Sequence, residues 1–167
     1  MTPKIGDTVS LCYSERDIAV GVGFKMHTAD SGARRKEMKC SPTDGLIMHI
    51  EGAAGELAFS KLFNVYPPLV VVSGGDFPLF EVRLPDGRRV DVKTTKYDDG
   101  KLVVAKYKGD KGGVQLYALL TGEFPGPWTY RGVMAQDELI VPGRIEEPRP
   151  GKPAYVALQR ELREIDR

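Results

Sequence analysis

Cysteine, histidine and tryptophan are scarce in these 167 residues, with two, two and one respectively. Two cysteines, Cys12 and Cys40, cannot staple a disulfide scaffold, so both are expected to be reduced and buried in a cytoplasmic protein. No apolar run approaches the roughly 18 residues of a membrane-spanning helix. Met1-Thr2-Pro3-Lys4-Ile5-Gly6-Asp7 has no apolar core of a secretory signal. Cys12, His27, Cys40 and His49 contain no C-x2-C pair and no close histidine pair, so no zinc site is expected. The glycine pairs Gly74-Gly75 and Gly112-Gly113 lack the lysine and hydroxyl residue that would make a phosphate-cradling loop. Charge of one sign is also missing: 24 basic residues against 23 acidic give a net +1, which excludes a uniformly basic nucleic-acid coat. A hydrophobic fraction of 41% and a charged fraction of 28% are those of a globular domain with its own core.

Charge is nevertheless uneven. Residues 88–111 carry eight basic side chains (Arg88, Arg89, Lys93, Lys96, Lys101, Lys106, Lys108, Lys111) and four acidic ones (Asp91, Asp98, Asp99, Asp110). Apolar residues at Ile47, Ile50, Ala54, Leu57, Ala58 and Leu62 follow helical spacing, predicting a helix over about 46–64 that Pro67-Pro68 ends. Before it, Thr8–Ser14 reads as a strand. Ser14 with Asp17 reads as a capping box opening a helix to about Met26, and residues 28–45 read as loop. After it come a buried strand at Leu69–Val72, then strands at Phe80–Leu84, Arg88–Thr95, Lys101–Tyr107, Val114–Leu120 and Trp128–Met134. Asp137–Ile140 follows the last of these. Proline-rich 142–153 reads as a surface crossing, and the type of Ala154–Ile165 stays open. The fold class is therefore α/β (α+β), one domain over 1–167, with a mixed central sheet flanked by helices. Its core spans about 46–122, with 1–45 and 142–167 as decorations. Trp128 is assigned to the core.

The hairpin register follows from turn chemistry. In Pro85-Asp86-Gly87, proline presets φ, aspartate caps its own turn and glycine takes the left-handed position. A three-residue loop pairs Leu84 with Arg88, Val82 with Val90, and Glu81 with Asp91. With Val82, Leu84, Val90 and Val92 on the core face, Glu81, Arg83, Asp91 and Lys93 share the other. Adjacent carboxylates repel across a ladder and call for a cation, either Lys93 or Arg83 or a metal. Hard divalent ions take oxygen ligands, and a lysine beside one can hold or deprotonate a water and neutralise charge on phosphorus.

Asp91-Val92-Lys93 resembles the (D/E)-x-K element of the PD-(D/E)XK nuclease superfamily, whose fold is restriction-endonuclease-like. Glu81, ten residues earlier on the preceding strand, stands where the second acid of that family is usually aspartate. Glu51-Gly52-Ala53-Ala54-Gly55-Glu56-Leu57-Ala58-Phe59 resembles the Gly-x-x-Gly-Glu-x-Ala helix of phage and restriction-type members. Val90–Thr95 is similar to the D-V-K-T-T form of small phage nucleases. The resemblance covers about 46–122.

It implies that Glu81, Asp91 and the carbonyl of Val92 bind Mg²⁺, or Mn²⁺ in its place, with Glu56 binding directly or through water. Lys93 would be the catalytic lysine. Asp76 is a rival for the place of Glu81, which is preferred because the register sets it opposite Asp91. Glu51 is a spare carboxylate, Asp86 structural, and Gln115 and Tyr117 ordinary sheet residues. The implied activity is a Mg²⁺-dependent deoxyribonuclease of phage or mobile-element type, with DNA as partner and Arg89, Lys96, Lys106 and Lys108 as phosphate contacts. The alternative is a nucleic-acid- or protein-binding module on the same fold without catalysis. No membrane partner is expected, and the oligomeric state stays open, a homodimer included.

Overall fold

A computed structural model describes residues 2–32, 42–65, 67 and 82–166. Leu69–Val72, the Gly74-Gly75 turn, Cys40, Asp76 and Glu81 lie outside the described residues.

A short strand β1 (Thr8–Val9) precedes two helices, α1 (Tyr13–Gly32) and α2 (Pro42–Leu62). Both helices run further than the sequence indicated, taking in parts of the stretch read as loop. The cap of α1 also differs. Ser14 is inside the helix, and Glu15 caps it by accepting the backbone N–H of Cys12 at 2.5 Å. Cys12 is exposed at this helix start, where its backbone is capped and its side chain faces away from the core, so its expected burial is corrected.

The hairpin strands are β2 (Val82–Arg83) and β3 (Arg89–Thr95). They pair antiparallel with Val82 opposite Val90 and Arg83 opposite Arg89, the register that Pro85-Asp86-Gly87 specifies. The turn is built as its residues dictate. Gly87 has φ +89°. Asp86 accepts the Arg88 backbone N–H at 2.9 Å and its Nε at 2.6 Å, and the first of these bonds holds the Asp86 carboxyl below its ordinary range.

Beyond β3 come β4 (Leu102–Ala105), α3 (Lys106–Lys111), β5 (Leu116–Thr121), β6 (Trp128–Ala135) and α4 (Gln136–Leu139). Lys106 and Tyr107, read from sequence as strand, open α3. The chain closes with β7 (Ile145–Arg149) and β8 (Lys152–Ala157). Five strands form one mixed sheet in the order β1-β6-β5-β3-β2, with β3 and β5 parallel. The segment read as the next strand after the hairpin, β4, leaves this sheet and pairs with β8 in a three-stranded sheet of order β4-β8-β7. A parallel neighbour for β3 requires a crossover, and β4 with α3 supplies it. The proline-rich stretch read as a surface crossing holds an exposed strand, β7, in this second sheet.

Helix α2 packs on one face of the five-stranded sheet and α1 packs on α2, around Ala53, Ala54, Ala58, Phe59, Val82, Val90, Val92, Trp128 and Tyr130. The three-stranded sheet is packed over the opposite face through Leu102, Val104, Tyr117, Leu119, Met134, Tyr155 and Ala157. The terminal segments read as decoration thus contribute Leu11 and Ala19 to one layer and Tyr155 and Ala157 to the other. Trp128 is fully buried, as its sequence context indicated.

Helix α2 comes closest to the sheet at Gly55, where an added Cβ would collide with the Cγ2 of Thr94. Overpacking of this kind costs about 1–3 kcal/mol, more than the roughly 1 kcal/mol that alanine gains over glycine in a helix. Gly55→Ala should therefore lower stability in denaturant unfolding. Thr94→Ala should recover most of the loss in the double variant, and a neutral Gly55→Ala would refute the close approach as a constraint.

Candidate active site

Three chemically active side chains converge on β3. Asp91 and Lys93 are two residues apart on one strand and therefore share a face. The ammonium of Lys93 donates to Oδ1 of Asp91. Asp91 is buried because the second sheet covers the face it occupies. Parallel pairing sets Tyr117 of β5 opposite Asp91. Burial, and after it the charge of Asp91, push the Tyr117 phenol up to about 12, so it is a neutral O–H at physiological pH.

Glu56 reaches the same place from α2, one residue beyond the Gly55 contact with Thr94. Burial pushes its carboxyl up to about 8. Lys93 lowers it, and the charge of Asp91 raises it. The described site therefore holds two carboxyls and one ammonium. The oxygens of Asp91 and Glu56 and the carbonyl of Val92 are hard donors, and Mg²⁺ commonly takes one or two carboxylates with waters. With both acids ionised, two carboxylates would face one lysine, a negative balance that a cation in place of the Glu56 proton would relieve. The donor set fits such an ion, although among the described residues no group of three or more His, Cys, Asp or Glu side chains is placed to hold one.

The other sequence candidates are distributed around this centre. Glu51 accepts the backbone N–H of Phe124 at 2.7 Å, so this carboxylate, read as a spare, fixes the β5–β6 connection. Burial raises its proton affinity. Gln115 accepts the backbone N–H of Arg89 at 2.9 Å, and Nε of Arg89 at 3.4 Å. Lys96 is exposed just after β3, with its ammonium 5.6 Å from the centre of the Tyr97 ring. Lys106 pairs with Asp110 at 2.5 Å on α3, and Asp110 also accepts the hydroxyl of Tyr155 at 2.6 Å. Lys108 is exposed on α3. The sequence reading gave Tyr117 no part in the site. Its nearness to Asp91 depends on a parallel register between strands separated by a crossover, which no local pattern encodes.

Glu56 gives stability a pH dependence. Its folded pKa of about 8 lies above the ordinary 4.5, so the fold favours the protonated carboxyl. The stabilisation is complete below the unfolded pKa and is lost as pH rises from about 4.5 to about 8. Glu56→Gln should flatten the fall in melting temperature over that window, and an unchanged slope would place the titration elsewhere.

Asp91→Asn should move the same fall to lower pH, because the charge that raises Glu56 is gone and Lys93 becomes its partner. Lys93→Ala leaves Asp91 buried without that ammonium. It should cost clearly more than the roughly 0.5 kcal/mol of an exposed substitution. Near-silent melts for both variants would leave the two as independent surface charges.

Among the described residues no helix is long and apolar enough to cross a membrane. No curated protein and no solved structure matches the chain. Residues 14–123, which carry α1, α2, the hairpin, β4, α3 and β5 and every described member of the acid–lysine set, match the model of a family of unknown function, DUF5843, and the chain belongs to that family.

Proposed function

We propose that this protein is a metal-dependent deoxyribonuclease of the PD-(D/E)XK type, hydrolysing phosphodiester bonds. The observation that supports the proposal is the Asp91–Lys93 ion pair on β3 with Glu56, brought by α2 from a distant part of the chain, within electrostatic reach of both. Asp91, Glu56 and the Val92 carbonyl, with Glu81 as the further acid, would hold Mg²⁺ or Mn²⁺. Such an ion lowers the pKa of a bound water and offsets charge on a phosphoryl oxygen.

The residues themselves divide the remaining work. Lys93, held by Asp91, presents an ammonium that orients the attacking water in line with the scissile bond and stabilises charge developing on phosphorus. Lys96 and Lys108 are exposed and able to meet phosphates, while Lys106 and Arg89 do so at the expense of their contacts with Asp110 and Gln115. Such contacts position DNA without reading its sequence.

The test is digestion of plasmid and single-stranded DNA with Mg²⁺, Mn²⁺ or EDTA. Wild type should cut only with metal. Asp91→Ala and Lys93→Ala should each lose at least a hundredfold in rate, the scale of a removed charge-stabilising group. Lys96→Ala should weaken binding across all sequences and reduce the salt slope by about one. Metal-dependent cleavage that survives both Asp91→Ala and Lys93→Ala refutes the assignment. Glutamate at position 81, where the resembled family usually has aspartate, favours as second reading a module that binds nucleic acid or protein without cutting. Undiminished DNA binding in EDTA, with no cleavage in any metal, would select that reading.

A further inference from the structure

The chain holds only two histidines, and the fold brings them together. Helices α1 and α2 pack against each other, and Gly23 of α1 lies so near Ile50 of α2 that an added Cβ would stand 2.7 Å from its backbone. His27 is one turn beyond Gly23, and His49 is next to Ile50. Both are partly buried. Their rings meet edge to face, with centres 5.9 Å apart and planes at 61°.

This separation falls within the range that a shared ion allows. A metal about 2.0–2.1 Å from one nitrogen of each ring is roughly 3 Å from each ring centre, so rings sharing it lie about 5–6 Å apart. The terminal torsion of histidine is soft, so bringing one nitrogen of each ring to a common point would need only side-chain rotation. We propose that His27 and His49 form a metal site bridging α1 and α2, selective for a late first-row divalent ion such as Zn²⁺, Ni²⁺ or Cu²⁺. Imidazole nitrogen suits these ions, whereas the oxygens of Asp91 and Glu56 suit Mg²⁺, so the two sites differ in chemistry. Two protein ligands leave the remaining positions to water, which makes the site open and strippable by chelator, unlike a closed four-ligand zinc centre.

The experiment uses full-length protein treated with EDTA, dialysed, and titrated with Zn²⁺ alone. Thermal melts follow wild type, His27→Gln, His49→Gln and Asp91→Asn. Zn²⁺ should raise the melting temperature of wild type and Asp91→Asn by several degrees, because an ion that binds only the folded state stabilises it. Neither histidine variant should respond, and excess Mg²⁺ should not abolish the wild-type response. If the histidine variants do not fold, NMR of wild type decides: the ring C–H signals of both histidines should shift or broaden together as Zn²⁺ is added. Absence of any Zn²⁺ response overturns the proposal, as does a response that persists in both histidine variants, or one ring responding without the other. A response lost in Asp91→Asn alone assigns Zn²⁺ to the acid site and overturns it equally, whatever the outcome of the nuclease assay.

Discussion

The close approach of α2 to β3 at Gly55 is the constraint on which the rest depends. A helix normally stands off a sheet by the length of its side chains, and here one position has none. The methyl of Thr94 fills that position, which draws the helix down onto the strand. Glu56, the next residue, is thereby brought to Asp91 and Lys93. The apolar residues Ala53, Ala54, Leu57, Ala58 and Phe59 hold the helix there through the same core as Val90 and Val92. The glycine and the glutamate are thus parts of one device: the first sets the distance and the second uses it.

Enclosure gives the three charges their consequence. Charged residues on an open strand face would be screened by water and weakly coupled. At an effective dielectric near 20, two unit charges about 4 Å apart interact by about 4 kcal/mol, against about 1 kcal/mol in bulk water. The second sheet moves Asp91 from the latter condition toward the former. The ammonium of Lys93 answers the Asp91 carboxylate, and burial, with a smaller part from the charge of Asp91, keeps the proton on Glu56 to about pH 8 against the pull of Lys93.

What was legible in the sequence was local. The Pro85-Asp86-Gly87 turn specifies the hairpin register to the residue, and helical spacing from Ile47 to Leu62 marks α2. Asp91 and Lys93 are adjacent on one face by strand alternation alone. What was not legible depended on distant partners. The parallel pairing of β3 with β5, which brings Tyr117 to Asp91, is decided by how a crossover packs. Val20-Gly21-Val22-Gly23 weakens the helical signal of α1, yet Gly23 is the contact that docks α1 against Ile50, so a local cost is recovered in tertiary packing. His27 and His49 share no pattern in sequence because they lie on different helices.

The family match adds a physical division to this picture. It ends at residue 123, between β5 and β6, and contains every described acid and lysine of the site. The strands that complete the enclosure, β6 beside β5 and β8 beside β4, lie beyond it. The chemistry therefore lies within the matched stretch, while the enclosure is shared between β4 inside it and β6 and β8 beyond it. The second can vary in sequence while it keeps apolar residues facing Tyr117 and Leu119, as Met134 and Tyr155 do here. The first has less freedom, because an acid, a lysine two residues on and a glutamate after a glycine must each keep their place for the charges to meet.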